Sequence, residues 1–125
     1  MVRVKRVYEE PVPTDGLRIL VDRLWPRGLR KQDLAHDDWV KDLAPSSALR
    51  TWYGDRPERF EEFTRRYRNE LRSGASADAL EQLRHEAGSQ TLTLLTATRD
   101  VERPCAAVLA EMLSGPVRKG RRGSR

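Results

Sequence analysis

The sequence has one cysteine and two histidines, and each scarcity narrows the classes of function. A lone Cys105 cannot form an internal disulfide framework or a thiolate metal cluster, and it suits a reducing cytoplasm. His36 and His85 fall among polar positions of predicted helices, so they read as solvated side chains and not as ligands. No HExxH, paired CxxC, GxxxxGK[ST] or GxGxxG occurs, so no metal or cofactor is implied. No stretch approaches the roughly 20 apolar residues of a membrane span, and MVRVKRVYEE lacks the apolar core of an export signal. The expectation is a cytoplasmic chain without membrane contact.

What is abundant is charge. The net charge is +5, but residues 117–125, VRKGRRGSR, hold Arg118, Lys119, Arg121, Arg122 and Arg125 without an acid. Removing those five from 24 basic residues leaves 19, which balances 19 acidic ones. The basic character therefore belongs to the tail. Residues 1–115 are expected to form a single domain and 116–125 a disordered basic arm, because Gly, Ser and Arg cannot bury enough apolar surface to order themselves.

Periodicity gives the elements. VRVKRVY alternates as a half-buried strand, EEPVPTDG is turn chemistry, and Ile19-Leu20-Val21 runs without a polar break, placing a central strand at 17–22. Asp33 is expected to cap a short helix carrying Trp39, Val40 and Leu43, and Ser46 or Ser47 to start another with Leu49, Trp52 and Tyr53. In DRPERFEEFTRRYRNELRSG, Asp55 and Glu58 have capping-box spacing and Phe60, Phe63, Tyr67 and Leu71 form one stripe. The RRYR run at 65–68 has Glu58, Glu61, Glu62 and Glu70 at helical spacing, which makes it a salt-bridged helix face. Ser76 is expected to cap a further helix, TLTLLTA at 91–97 is a third strand, and Pro104 opens a last helix to about Leu113. The fold class is α/β: a single compact domain with a small, mainly parallel sheet of about three strands and about five helices. The second and third strands should be parallel, while the orientation of the first stays open.

In such sheets ligands collect beyond the carboxyl ends of the strands. The second strand ends in Asp22, Arg23, Trp25, Arg27 and Gly28, and the third in Thr96, Thr98, Arg99 and Asp100. Two readings stand side by side. Asp22 could pair with Arg99, or Arg23 with Asp100, as a structural tie. Alternatively, Arg23, Arg27 and Arg99 present donor forks to an anionic small molecule, with Asp22 or Asp100 as acid, base or orienter. Cys105 opens the apolar stripe of the last helix as a core thiol; its first-turn position also makes it a candidate nucleophile. The tail supplies a separate reading, salt-dependent attraction to nucleic acid. A third is a structural or partner-binding protein with aromatic anchors. Oligomeric state is left open, and whether the chain is an enzyme is undecided.

The blocks KRVYE, DGLRILVDRLWPRGLRK, WVKDLAPSSALRTWYG, RFEEFTRRYRNEL and TLTLLTATRD resemble the YeaO-like branch of the domain-of-unknown-function family 488, small bacterial proteins of no agreed activity. The resemblance spans nearly all of residues 1–114 and implies one α/β domain. It carries emphasis onto Asp22, Arg23, Trp25, Pro26, Arg27, Gly28, Lys41, Pro45, Ser46, Leu49, Arg50, Tyr53 and Gly54, which points to one polar pocket with Trp25 and Tyr53 among its binding residues. Relatives typically read Asn-His-Ala at the start of the last helix, whereas this chain reads Pro104-Cys105-Ala106. An acid/base role for that histidine is therefore missing here unless Cys105 assumes it.

Overall fold

Four parallel strands, β1 (Val2–Arg6), β2 (Leu17–Leu20), β3 (Asp38–Trp39) and β4 (Leu92–Thr96), form one sheet in the order β1-β4-β2-β3. Among the described residues four α-helices accompany it: α1 (Ser47–Tyr53), α2 (Phe60–Glu70), α3 (Gly74–Ala87) and α4 (Cys105–Ser114). The computed structural model describes residues 1–54, 56–97 and 105–114. The class is α/β, as expected, with one strand more and one helix fewer than the sequence suggests. Asp55, Arg99, Asp100, Pro104 and the tail lie outside the described residues.

The strand last in sequence is central because every one of its residues is fit for burial. Leu92 through Thr96 are all buried, and the two threonines in that run find partners: Thr93 Oγ1 donates to the Asp15 carbonyl at 2.7 Å and Thr96 Oγ1 to Asp22 Oδ1 at 2.7 Å. On one face Ile19, Leu92 and Leu94 join Phe63, Tyr67, Leu83 and Leu109 in the main core. All four helices contribute to that face. On the other face, which carries no α-helix among the described residues, Leu20 and Leu95 pack with Val7 and Leu34 from connecting segments. β1 proves parallel to its neighbour even though only residues 7–16 separate it from β2. The short link suffices because it crosses β4 as a loop holding a single 3-10 turn, Pro13–Asp15, with Thr93 of β4 donating to the Asp15 carbonyl, and has no α-helix to accommodate.

That loop is tied down by charge. Asp15, 1% exposed, accepts from the Val12 N–H at 3.1 Å, from Lys5 Nζ at 3.1 Å, and from the buried Arg18 guanidinium. Gly16, at φ 66° and ψ −134°, follows in a backbone region closed to side chains, and a Cβ there would lie 2.2 Å from the Thr91 carbonyl oxygen.

Two expected elements differ. The helix anticipated from Asp33 through Leu43 is instead two single 3-10 turns around β3. The outer edge of β2 explains it: Asp37 N donates to Arg18 O at 2.7 Å and Val40 N to Leu20 O at 2.9 Å, filling an edge that would otherwise be unpaired. Trp39 then packs with the loop-side cluster and Val40 with the helical core, a two-residue alternation. The second concerns α3, which starts at Gly74 and not at a Ser76 cap; the Ser76 hydroxyl donates to the Asp42 carbonyl at 2.7 Å instead. Other local signals hold. Ser46 caps α1 by accepting from Leu49 N at 3.1 Å, Gly54 ends it in the left-handed region, and Glu62 pairs with both Arg65 and Arg66.

Candidate functional site

Beyond β2 the chain passes through residues 21–34 to the loop-covered face, where Leu34 packs on Leu20 and Leu95. Beyond β4 it reaches α4, whose Val108 and Leu109 belong to the helical core. Adjacent parallel strands whose continuations part to opposite faces leave a crevice at their carboxyl ends. A cleft of about 310 Å³ lies there.

Its near wall is the segment after β2, with Asp22, Arg23, Leu24, Trp25 and Arg27. The far wall is Ala44, Pro45 and Arg50 from the approach to α1 and α1 itself, and Ala97 and Cys105 complete the lining. Asp22 does tie two strand ends, but through neutral donors: Thr96 Oγ1 reaches one oxygen and Ala97 N the other, at 2.8 Å. Arg23, Arg27 and Arg50 are exposed and have no carboxylate partner among the described residues. Among the described residues the cleft thus holds three guanidiniums without a carboxylate partner and one carboxylate whose two oxygens are already engaged.

Trp25 is half-buried. Its Nε1 donates to Leu29 O at 2.6 Å, and its ring meets His36 and Trp39 edge-on at centroid distances of 5.3 and 5.4 Å. His36 is itself half-buried against that ring and engages Leu34 O through Nδ1, so it is more enclosed than its polar neighbours imply. Trp39 Nε1 donates to Asp22 O at 2.7 Å, fixing the rim from below. Cys105 lines the inner part. Burial pushes its thiol up to about 12, against a smaller downward pull from Arg50, and Asp22 adds to the rise. A helix N-terminus would lower a thiol; desolvation outweighs that here.

The residues singled out in sequence thus separate. Asp22, Arg23, Trp25, Arg27 and Cys105 share one cleft. Tyr53 does not line it: the ring is 6% exposed in the core, 4.7 Å from Phe63. Arg99 and Asp100 lie outside the described residues. Residue spacing alone gave no signal for Arg50, Ala44 and Pro45 as a facing wall; only the blocks shared with the resembled family drew attention to Pro45 and Arg50. A second hollow, of about 280 Å³, lies beside β2, β3 and α3, but its ionisable groups, Asp37, Asp38 and Glu86, are all acids, and Asp37 already accepts from Arg18 N. Among the described residues no group of His, Cys, Asp and Glu could hold a metal ion, and no helix is long and apolar enough to cross a membrane.

A small parallel α/β domain defines the class. The chain belongs to the DUF488-N3i family, described as the inactive DUF488-N3 subclade, which it matches over residues 1–124. It is 54% identical over 114 residues to the uncharacterized proteins Rv3073c of Mycobacterium tuberculosis and Mb3100c of Mycobacterium bovis, covering 91% of this chain and 94% of each relative. It is 39% identical over 112 residues to the uncharacterized protein YeaO of Escherichia coli, covering 90% of this chain and 96% of that one. No solved structure matches.

Proposed function

We propose that the chain binds a small anionic ligand in the cleft between Arg23, Arg27 and Arg50 and does not itself turn it over. The observation that carries this reading is the imbalance of charge: among the described residues, three guanidiniums without carboxylate partners share the cleft with one carboxylate held by Thr96 and Ala97. Guanidinium forks suit carboxylate and phosphate oxygens. The two candidates for chemistry are poorly placed for it. Cys105, at about 12, stays a neutral thiol at physiological pH, and Asp22 is engaged at both oxygens. The description of the subclade as inactive agrees with binding without catalysis.

Calorimetric titration with inorganic phosphate tests the reading. Arg27→Ala is expected to alter stability by less than about 0.5 kcal/mol, as an exposed substitution does, while weakening phosphate binding. Phosphate binding undiminished in an Arg27→Ala/Arg50→Ala protein would refute the site. Residues 116–125 support a separate role as a basic arm for nucleic acid, since their five positive charges are unopposed. A chain ending at Ser114 should then keep its cleft binding and lose salt-sensitive retention on DNA or RNA; retention equal to that of the full chain would rule the arm out.

A further inference from the structure

We infer that the cleft is selective for an amphipathic organic anion: a carboxylate or phosphate head group carried on a compact apolar body, as opposed to a bare inorganic anion or a sugar phosphate. The inference rests on the anion-binding reading above and concerns what the rest of the ligand must be.

The lining decides it. Apart from Asp22, the three arginines and the Cys105 thiol, every described lining residue is apolar, Val21, Trp25, Pro26, Pro45 and Ala97 among them. Among the described lining residues there is no serine, threonine, asparagine, glutamine, lysine or histidine, and the two prolines lack even a backbone donor. A polyol entering such a space exchanges water for walls that offer its hydroxyls few partners, and each unsatisfied hydroxyl is penalised. The carboxylate among the described lining residues, Asp22, already receives Thr96 and Ala97. An apolar body meets no such penalty.

Leu24 extends the argument to the mouth. It is 72% exposed on the same wall, continuous with the apolar lining and flanked by Arg23. A single exposed leucine is ordinary on a protein surface. Here it stands where a body projecting from the cleft would cover it, next to guanidiniums that would hold the head group. The neutral thiol of Cys105 adds a polarisable wall without a second negative charge. Mostly apolar walls with a few placed polar groups are the usual construction of a small-molecule site, and about 310 Å³ lies at the small end of such sites.

Five probes separate the components: inorganic phosphate, ribose 5-phosphate, phenyl phosphate, phenylacetate and benzyl alcohol, titrated by calorimetry with tryptophan fluorescence reporting on Trp25. Phenyl phosphate and phenylacetate are expected to bind at least about tenfold more tightly than inorganic phosphate or ribose 5-phosphate, the contribution of burying a ring-sized apolar surface. Benzyl alcohol should bind more weakly than either aromatic anion. Leu24→Ser, at an exposed position that leaves the fold intact, should weaken the aromatic anions several-fold and leave inorganic phosphate unchanged. Equal affinity for inorganic phosphate, ribose 5-phosphate and phenyl phosphate would overturn the selectivity while leaving the anion cleft standing. Absence of binding by every anion, or benzyl alcohol binding as well as phenylacetate, would overturn the anion cleft and the selectivity together.

Discussion

Substituting Asp15→Asn removes one negative charge from the place in the molecule where it is most heavily used. The carboxylate is 1% exposed and holds Lys5, whose side chain is 16% exposed, and Arg18, whose side chain is 7% exposed. Deleting one member of a buried ion pair costs about 3–5 kcal/mol, because the surviving charge stays desolvated without its partner. Lys5 still donates to the Glu10 carbonyl and Arg18 to the Ala35 carbonyl, which places the expected loss near the lower bound, about 3 kcal/mol. For a domain of this length that corresponds to a fall in Tm of about 10 °C, measurable by calorimetry, with urea denaturation giving the free energy. Burial alone would raise the Asp15 pKa; the Val12 N–H, Lys5 and Arg18 together outweigh it and hold the carboxyl below its ordinary 3.8. The charge therefore stabilises fully above about pH 4 and stops doing so as pH falls through the lower folded value. The gap between parent and Asp15→Asn should be flat from neutral pH to about pH 5 and narrow only in stronger acid. Adding Arg18→Met to Asp15→Asn should recover much of the loss, since it removes the stranded charge. A gap under about 1 kcal/mol, or one that persists unchanged into strong acid, would refute the reasoning.

Two further outcomes follow from local geometry. Gly16→Ala places a Cβ 2.2 Å from the Thr91 carbonyl oxygen at φ 66°, so a loss of about 3 kcal/mol or more is expected in the same denaturation assay; a loss below 1 kcal/mol would show that the loop can move aside. Cys105, held at about 12, should react with iodoacetamide at neutral pH roughly a thousandfold more slowly than an unperturbed thiol, and labelling at the rate of a free thiol would contradict its burial.

Much of the architecture was legible where one element satisfies itself. The TLTLLTA run announces a strand, Ile19-Leu20-Val21 a strand covered on both faces, Ser46 and Gly54 bracket α1, and the Phe60-Phe63-Tyr67-Leu71 stripe marks a helix packed on the sheet. What escaped depends on partners far along the chain. β3 is two residues long, too short for any periodic signal, and exists because β2 has an edge to fill. Arg18 looks like an outward polar residue until the loop holding Asp15 folds beneath it. At the site, Asp22, Arg23, Trp25 and Arg27 are adjacent in sequence and so were found together. Residue spacing could not show that Ala44, Pro45 and Arg50 oppose them, because nothing in it encodes which loop a helix start will face.

The strand order has a consequence for how the molecule comes to exist. β4 stands between β1 and β2, yet Val2 pairs with Leu92 across 90 positions of chain. Nothing made before residue 92 can bring β1 into the sheet, since β1 and β2 share no ladder of their own. A nascent or truncated chain lacking β4 leaves two strands with no mutual partner and exposes the apolar side chains, Val2, Val4 and Ile19 among them, that β4 helps to bury, and closing so long a loop slows the search for the native pairing. The sheet is therefore completed by its own middle strand, and folding waits on the final quarter of the sequence.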